Sequence, residues 1–137
     1  MITFFSAPRP FKNIFSVIQQ NAISSWINLK GEKEILLFSN ESVMKDESIV
    51  YNKKFKCNNL GTPLISSLFS EAIKSGSWPV FCFINADIIL PENFLDIVRM
   101  CNNQFQDFLL IGRRNDIELK SKINFSNKEN LKSFWRE

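Results

Sequence analysis

The sequence predicts an α/β fold: a mainly parallel open sheet with helices on both faces. Two observations carry this. Short apolar runs alternate along the chain with stretches of helical periodicity, the order that builds a parallel sheet. The runs are also almost continuously apolar, as strands covered on both faces are. Ile2-Thr3-Phe4-Phe5 reads as the first strand, broken by Ser6-Ala7-Pro8-Arg9-Pro10, because two prolines cannot continue a central strand. From Phe11 the pattern is helical. Phe11, Phe15, Ile18, Ala22, Trp26 and Leu29 form one apolar stripe, Lys12, Ser16, Gln19, Gln20 and Ser24 face away, and Gly31 follows the last turn.

Glu34-Ile35-Leu36-Leu37-Phe38 is a second strand, ended by Ser39-Asn40-Glu41. Residues 42–61 are polar and irregular, with one short strand near Ile49-Val50-Tyr51. Thr62-Pro63 is expected to open a helix, Thr62 as cap and Pro63 at the first helical position. Its apolar side is Leu64, Leu68, Phe69 and Ala72, and Gly76 stops it. A strand over residues 79–84 follows. Pro91-Glu92 opens another helix, with Phe94, Leu95, Ile97 and Val98 inward. Asp107-Phe108-Leu109-Leu110-Ile111 reads as a further strand, and Leu131, Phe134 and Trp135 as the apolar side of a last short helix.

The chain of 137 residues is 45% hydrophobic and 23% charged, the composition of one globular domain and not of a disordered segment. Its net charge of +3 is too mild to imply nucleic acid or a membrane surface. No apolar run approaches the ~20 residues that span a bilayer, and no signal-peptide pattern opens the sequence, so a cytoplasmic location is expected. With no histidine, histidine chemistry and histidine metal ligation are excluded. Cys57, Cys82 and Cys101 make no zinc pattern, and Cys82 reads as a small core residue.

The most informative segment is Asn85-Ala86-Asp87, directly after Val80-Phe81-Cys82-Phe83-Ile84. Alternation along an extended chain puts Asn85 and Asp87 on one side. The carboxyl ends of strands are where open α/β sheets bind ligands, and a carboxylate there can hold a divalent cation that in turn holds a diphosphate.

The order of elements, with Phe4-Phe5-Ser6-Ala7-Pro8-Arg9-Pro10-Phe11, Gln20-Asn21-Ala22-Ile23-Ser24-Ser25-Trp26, Gly61-Thr62-Pro63-Leu64, Ile84-Asn85-Ala86-Asp87-Ile88-Ile89-Leu90 and Gly112-Arg113-Arg114-Asn115-Asp116, resembles a GT-A-fold glycosyltransferase-like family over most of residues 1–119. The resemblance implies a Rossmann-like nucleotide-sugar-binding half within a single domain, 1–137. It implies a nucleotide-diphosphate sugar as donor, an unknown acceptor, and Mn²⁺ or Mg²⁺ on the diphosphate. Asp87 would then be the metal-facing carboxylate, and Asn85 would contact the ribose or sugar. Asn85 stands where the family motif carries its first acid. The chain also stops where the acceptor half is expected, so a homo-oligomer or partner chain covering that half is a second expectation.

Each candidate has a plainer reading. Asp87 also suits a turn or helix cap, and Asn85 a turn bonded to its own backbone. Arg9, between Pro8 and Pro10 and after Ala7, is a phosphate ligand or a solvated loop residue. Asn40 and Glu41 can read a base edge or make an ordinary turn. Asn58 and Gly61 lead to a helix N-terminus that suits a phosphate. Arg113 and Arg114 are phosphate contacts or a solvated pair, and Asp116 is the candidate general base. Three functions follow from these readings: a transferase, a shortened nucleotide-sugar-binding module without independent activity, and an interaction domain with a vestigial cleft.

Overall fold

A computed structural model describes residues 1–127, 129 and 131. Its four strands are β1 (Ile2–Ser6), β2 (Lys33–Phe38), β3 (Ile49–Asn52) and β4 (Val80–Phe83). Its helices are α1 (Asn13–Ile27), α2 (Ile65–Ser75) and α3 (Phe94–Gln104). All strand pairs are parallel, in the order β3-β2-β1-β4. The expected α/β fold with an open parallel sheet is therefore the fold observed.

β1 is central and buried at every position. Phe4 lies opposite Ile35 and Cys82, and Phe5 opposite Leu36 and Phe83. The pleat then divides the core. Ile2, Phe4, Ile35, Leu37 and Ile84 pack with Ala22, Ile23 and Trp26 of α1 and Leu95 and Val98 of α3. Phe5, Leu36 and Phe38 pack on the other face with Leu68 and Ala72 of α2. Phe4 stacks on Trp26 at 6.1 Å, and Phe5 meets Phe69 edge-on at 4.8 Å. Burial of these aromatic side chains, each worth about 1.5–3 kcal/mol, is the main force joining both helix layers to β1. Burial raises the Cys82 thiol pKa to about 11, so this cysteine is a protonated packing residue as expected.

Several local expectations are corrected. Residues 107–111 form no strand. They join no ladder, and Leu109 and Ile111 are 85% and 81% exposed. The helix expected from Thr62-Pro63 begins at Ile65 after Leu64, with no side-chain cap. Thr62 and Pro63 instead belong to a closed loop in which the Asn58 N–H donates to the Thr62 carbonyl at 2.9 Å and Cys57 bridges Pro63. The α1 stripe holds at Ala22, Trp26 and Leu29, which are buried, but not in the first half of the helix: Phe15 is exposed, whereas Gln19, placed outward by periodicity, is buried. Leu131 is buried, and the rest of the expected last helix lies outside the described residues.

Gly76 is required by close approach. A Cβ there would stand 2.6 Å from the Phe81 ring and 2.9 Å from the Ala72 carbonyl oxygen. Gly76→Ala is expected to cost about 1–3 kcal/mol in urea unfolding. Unchanged stability would show that α2 does not need to end so near the sheet.

Candidate functional site at the strand ends

The chain builds outward from β1 in one direction, through β2 to β3, and then returns to place β4 on the other side of β1. The order reverses between β1 and β4. In open parallel sheets, the crevice beyond the carboxyl ends at such a reversal is the general ligand position. Two loops leave the sheet at this end: residues 7–12 after β1 and residues 84–90 after β4.

The second loop carries Asn85-Ala86-Asp87. The ladder extends one residue past β4, where the Ile84 N–H donates to the Phe5 carbonyl at 3.2 Å. A turn follows, closed by the Ile88 N–H on the Asn85 carbonyl at 3.1 Å. Ala86 turns into the core at 6% exposure, while Asn85 and Asp87 on either side are exposed, as alternation predicts. Neither polar side chain makes a hydrogen bond or ion pair among the described residues. The turn is closed by backbone, and α3 starts after Asn93 without a side-chain cap. Asp87 therefore performs neither plainer task the sequence left open. Ala86 offers only its backbone to a ligand.

α1 holds this loop in place. The Trp26 Nε1–H donates to the Ile88 carbonyl at 2.8 Å, and the Leu90 N–H donates to Ser25 Oγ at 3.0 Å. Ser25 in turn donates to the Ala22 carbonyl at 2.6 Å.

The first loop is held by the same helix. The Arg9 N–H donates to Gln19 Oε1 at 2.7 Å, and Gln19 Nε2 donates back to the Arg9 carbonyl at 2.9 Å. The Arg9 guanidinium carbon lies 5.2 Å from the centre of the Phe15 ring. Arg9 is exposed, and its guanidinium makes no hydrogen bond or ion pair among the described residues. Ala7 packs on the α2-side core and Pro8 is half-buried, so they shape the loop and leave Arg9 as its charged group. Ser6, at the end of β1, is buried, and its Oγ has no partner.

The remaining candidates are distributed differently. Asn40 and Glu41 are exposed beyond β2, in a turn where the Glu41 N–H donates to Ser39 Oγ at 3.0 Å. Their side chains face solvent at the same end of the sheet. Asn58 is structural, since its Oδ1 accepts from the Leu60 and Thr62 N–H groups, both at 2.9 Å. Gly61, at φ 79°, completes that loop. Arg113, Arg114 and Asp116 lie in the exposed irregular segment that follows α3. Arg114 pairs with Asp116 at 3.3 Å, and no hydrogen bond or ion pair ties either to Asn85 or Asp87.

The donor set on the 84–90 loop is one free carboxylate and one free carboxamide, with Arg9 on the loop that leaves the neighbouring strand. No cluster of three His, Cys, Asp or Glu side chains forms a metal cage among the described residues. One carboxylate fits a cation that arrives with phosphate oxygens and keeps water, the usual mode of Mg²⁺. No helix of the described residues is long and apolar enough to cross a membrane.

No protein-family model, no curated protein and no solved structure matches this chain.

Periodicity missed the positioning residues Gln19, Asn21, Ser25 and Trp26 Nε1. The available signal was four polar groups clustered around Ala22 and Ile23 in an otherwise apolar helix face. Trp26→Phe retains a ring beside Phe4 and removes the donor to Ile88. It is expected to cost about 1–2 kcal/mol and to speed amide exchange in residues 85–90 more than in β2. Uniform acceleration throughout the sheet would contradict a specific anchoring role.

Proposed function

We propose that this chain binds a nucleotide-diphosphate sugar beyond the ends of β1 and β4 and acts as a GT-A-like glycosyltransferase on an unknown acceptor. The observation that carries the reading is that Asn85 and Asp87 are exposed and unpartnered on a tightly anchored turn at the strand-order reversal. A turn that needed these side chains for its own closure would use them. This one is closed by backbone and by Trp26 and Ser25.

In this reading Asp87 holds the cation side of the diphosphate and Asn85 hydrogen-bonds the ribose or sugar hydroxyls. Arg9 contacts phosphate oxygens from the loop after β1, and Asn40 and Glu41 read the base. Mn²⁺ or Mg²⁺, when bound with the donor, would supply Lewis-acid stabilisation of the leaving diphosphate. Arg9 adds a fixed positive charge where negative charge develops, which favours the transition state over the bound donor.

A second reading is favoured by one observation. Asp116, the candidate base, is ion-paired with Arg114 on an exposed segment. The chain would then be a nucleotide-sugar-binding module that acts with a partner chain or a second copy supplying the acceptor side.

Calorimetry with UDP and GDP, each with and without Mn²⁺, tests the shared core of both readings. Metal-dependent binding is expected, weakened by about tenfold or more in Asp87→Ala. Because Asp87 is exposed and unpaired, the same substitution should leave unfolding stability within about 0.5 kcal/mol of wild type. Absence of binding under every metal condition would sink both readings. Hydrolysis or transfer from a nucleotide-sugar panel then separates enzyme from module.

A further inference from the structure

We infer that Gln19 and Phe15 are positioning residues that hold Arg9 as a preformed diphosphate-binding group. The inference rests on the donor reading above for where the diphosphate lies, and it adds residues that the sequence placed elsewhere, Gln19 on the solvent side and Phe15 in the core. Gln19 is 3% exposed, and its amide is matched to the Arg9 main chain: Oε1 accepts from the N–H at 2.7 Å and Nε2 donates to the carbonyl at 2.9 Å. A residue whose N–H and carbonyl are both bonded, in a segment with fixed φ at Pro8 and Pro10, has little freedom left to lose. The side chain is then directed by Phe15, whose exposed ring lies 5.2 Å from the guanidinium carbon.

A ring binds a guanidinium through the cation's charge and π-face, so it leaves the planar N–H donors open to an anion. Arg99 and Arg114, by contrast, are engaged by carboxylates, Arg99 by Asp96 and Arg114 by Asp116. Arg9 is held instead by an aromatic ring, which fixes its position without neutralising its charge. That arrangement suits a group that must meet phosphate oxygens at the crevice.

The test uses the full chain and inorganic pyrophosphate, followed by nuclear magnetic resonance of the Arg9 side-chain Nε–H. In wild type this proton is expected upfield of free arginine, shifted by the Phe15 ring, and to move on pyrophosphate addition. Phe15→Leu, an exposed position that leaves the core intact, should return it to the free position and weaken pyrophosphate about threefold. Gln19→Met, which removes both main-chain bonds, should do the same and weaken binding about three- to tenfold. A wild-type proton at the free-arginine position, or one that pyrophosphate does not move, would overturn the assignment. So would Gln19→Met and Phe15→Leu proteins that keep the shifted signal and full affinity. Pyrophosphate binding at Arg9 without any nucleotide-diphosphate binding dependent on Asp87 would support the Arg9 assignment and reject the donor reading.

Discussion

The loops at the strand ends depend on one feature of α1: its buried polar side chains bond to the backbone of loops and not to one another. Gln19 takes both main-chain groups of Arg9. Ser25 and Trp26 take Leu90 and Ile88. Asn21 takes the far segment, accepting from the Ile123 N–H at 2.8 Å and donating to the Ser121 carbonyl at 2.9 Å. Loop backbone that runs close to a core needs partners that a ladder does not supply. A helix with amides and a hydroxyl at 2–3% exposure supplies them in fixed positions. The energetic asymmetry makes this decisive: a satisfied bond contributes about 1 kcal/mol, and a buried group left unpaired costs more than that.

Anchoring of this kind separates the loops' shape from their chemistry. The 84–90 turn needs neither Asn85 nor Asp87 to hold itself, and the 7–12 loop does not need the Arg9 guanidinium. Those three side chains are left exposed on a framework that loses little freedom when a ligand arrives. The β1 and β4 ends are adjacent because the two strands pair, so the loops that carry Arg9 and Asp87 leave neighbouring strands at one end of the sheet. In the proposed donor reading, Asp87 would meet the metal and Arg9 the phosphate oxygens.

Much of this was legible in the sequence. β1, β2 and β4 are continuous apolar runs, and β1, buried on both faces, is readable from composition alone. Alternation placed Asn85 and Asp87 together on the exposed side of Ala86. What was not legible depends on partners distant in the chain. Residues 107–111 have a strand's composition, but a strand also needs a ladder, and no local pattern encodes one. Thr62-Pro63 has the chemistry of a helix start, yet its backbone closes a loop with Cys57 and Asn58. Gln19 looked solvent-facing because periodicity assigns polar residues outward. Its partner is a loop peptide, and Asn21 meets a segment 100 residues away.

The account is tested most directly by locating the cation. Crystals grown with UDP or GDP and Mn²⁺ should show an anomalous manganese peak beside the Asp87 carboxylate, with the diphosphate reaching across the crevice to Arg9. A manganese peak elsewhere with the nucleotide, or a nucleotide bound away from the ends of β1 and β4, would contradict it.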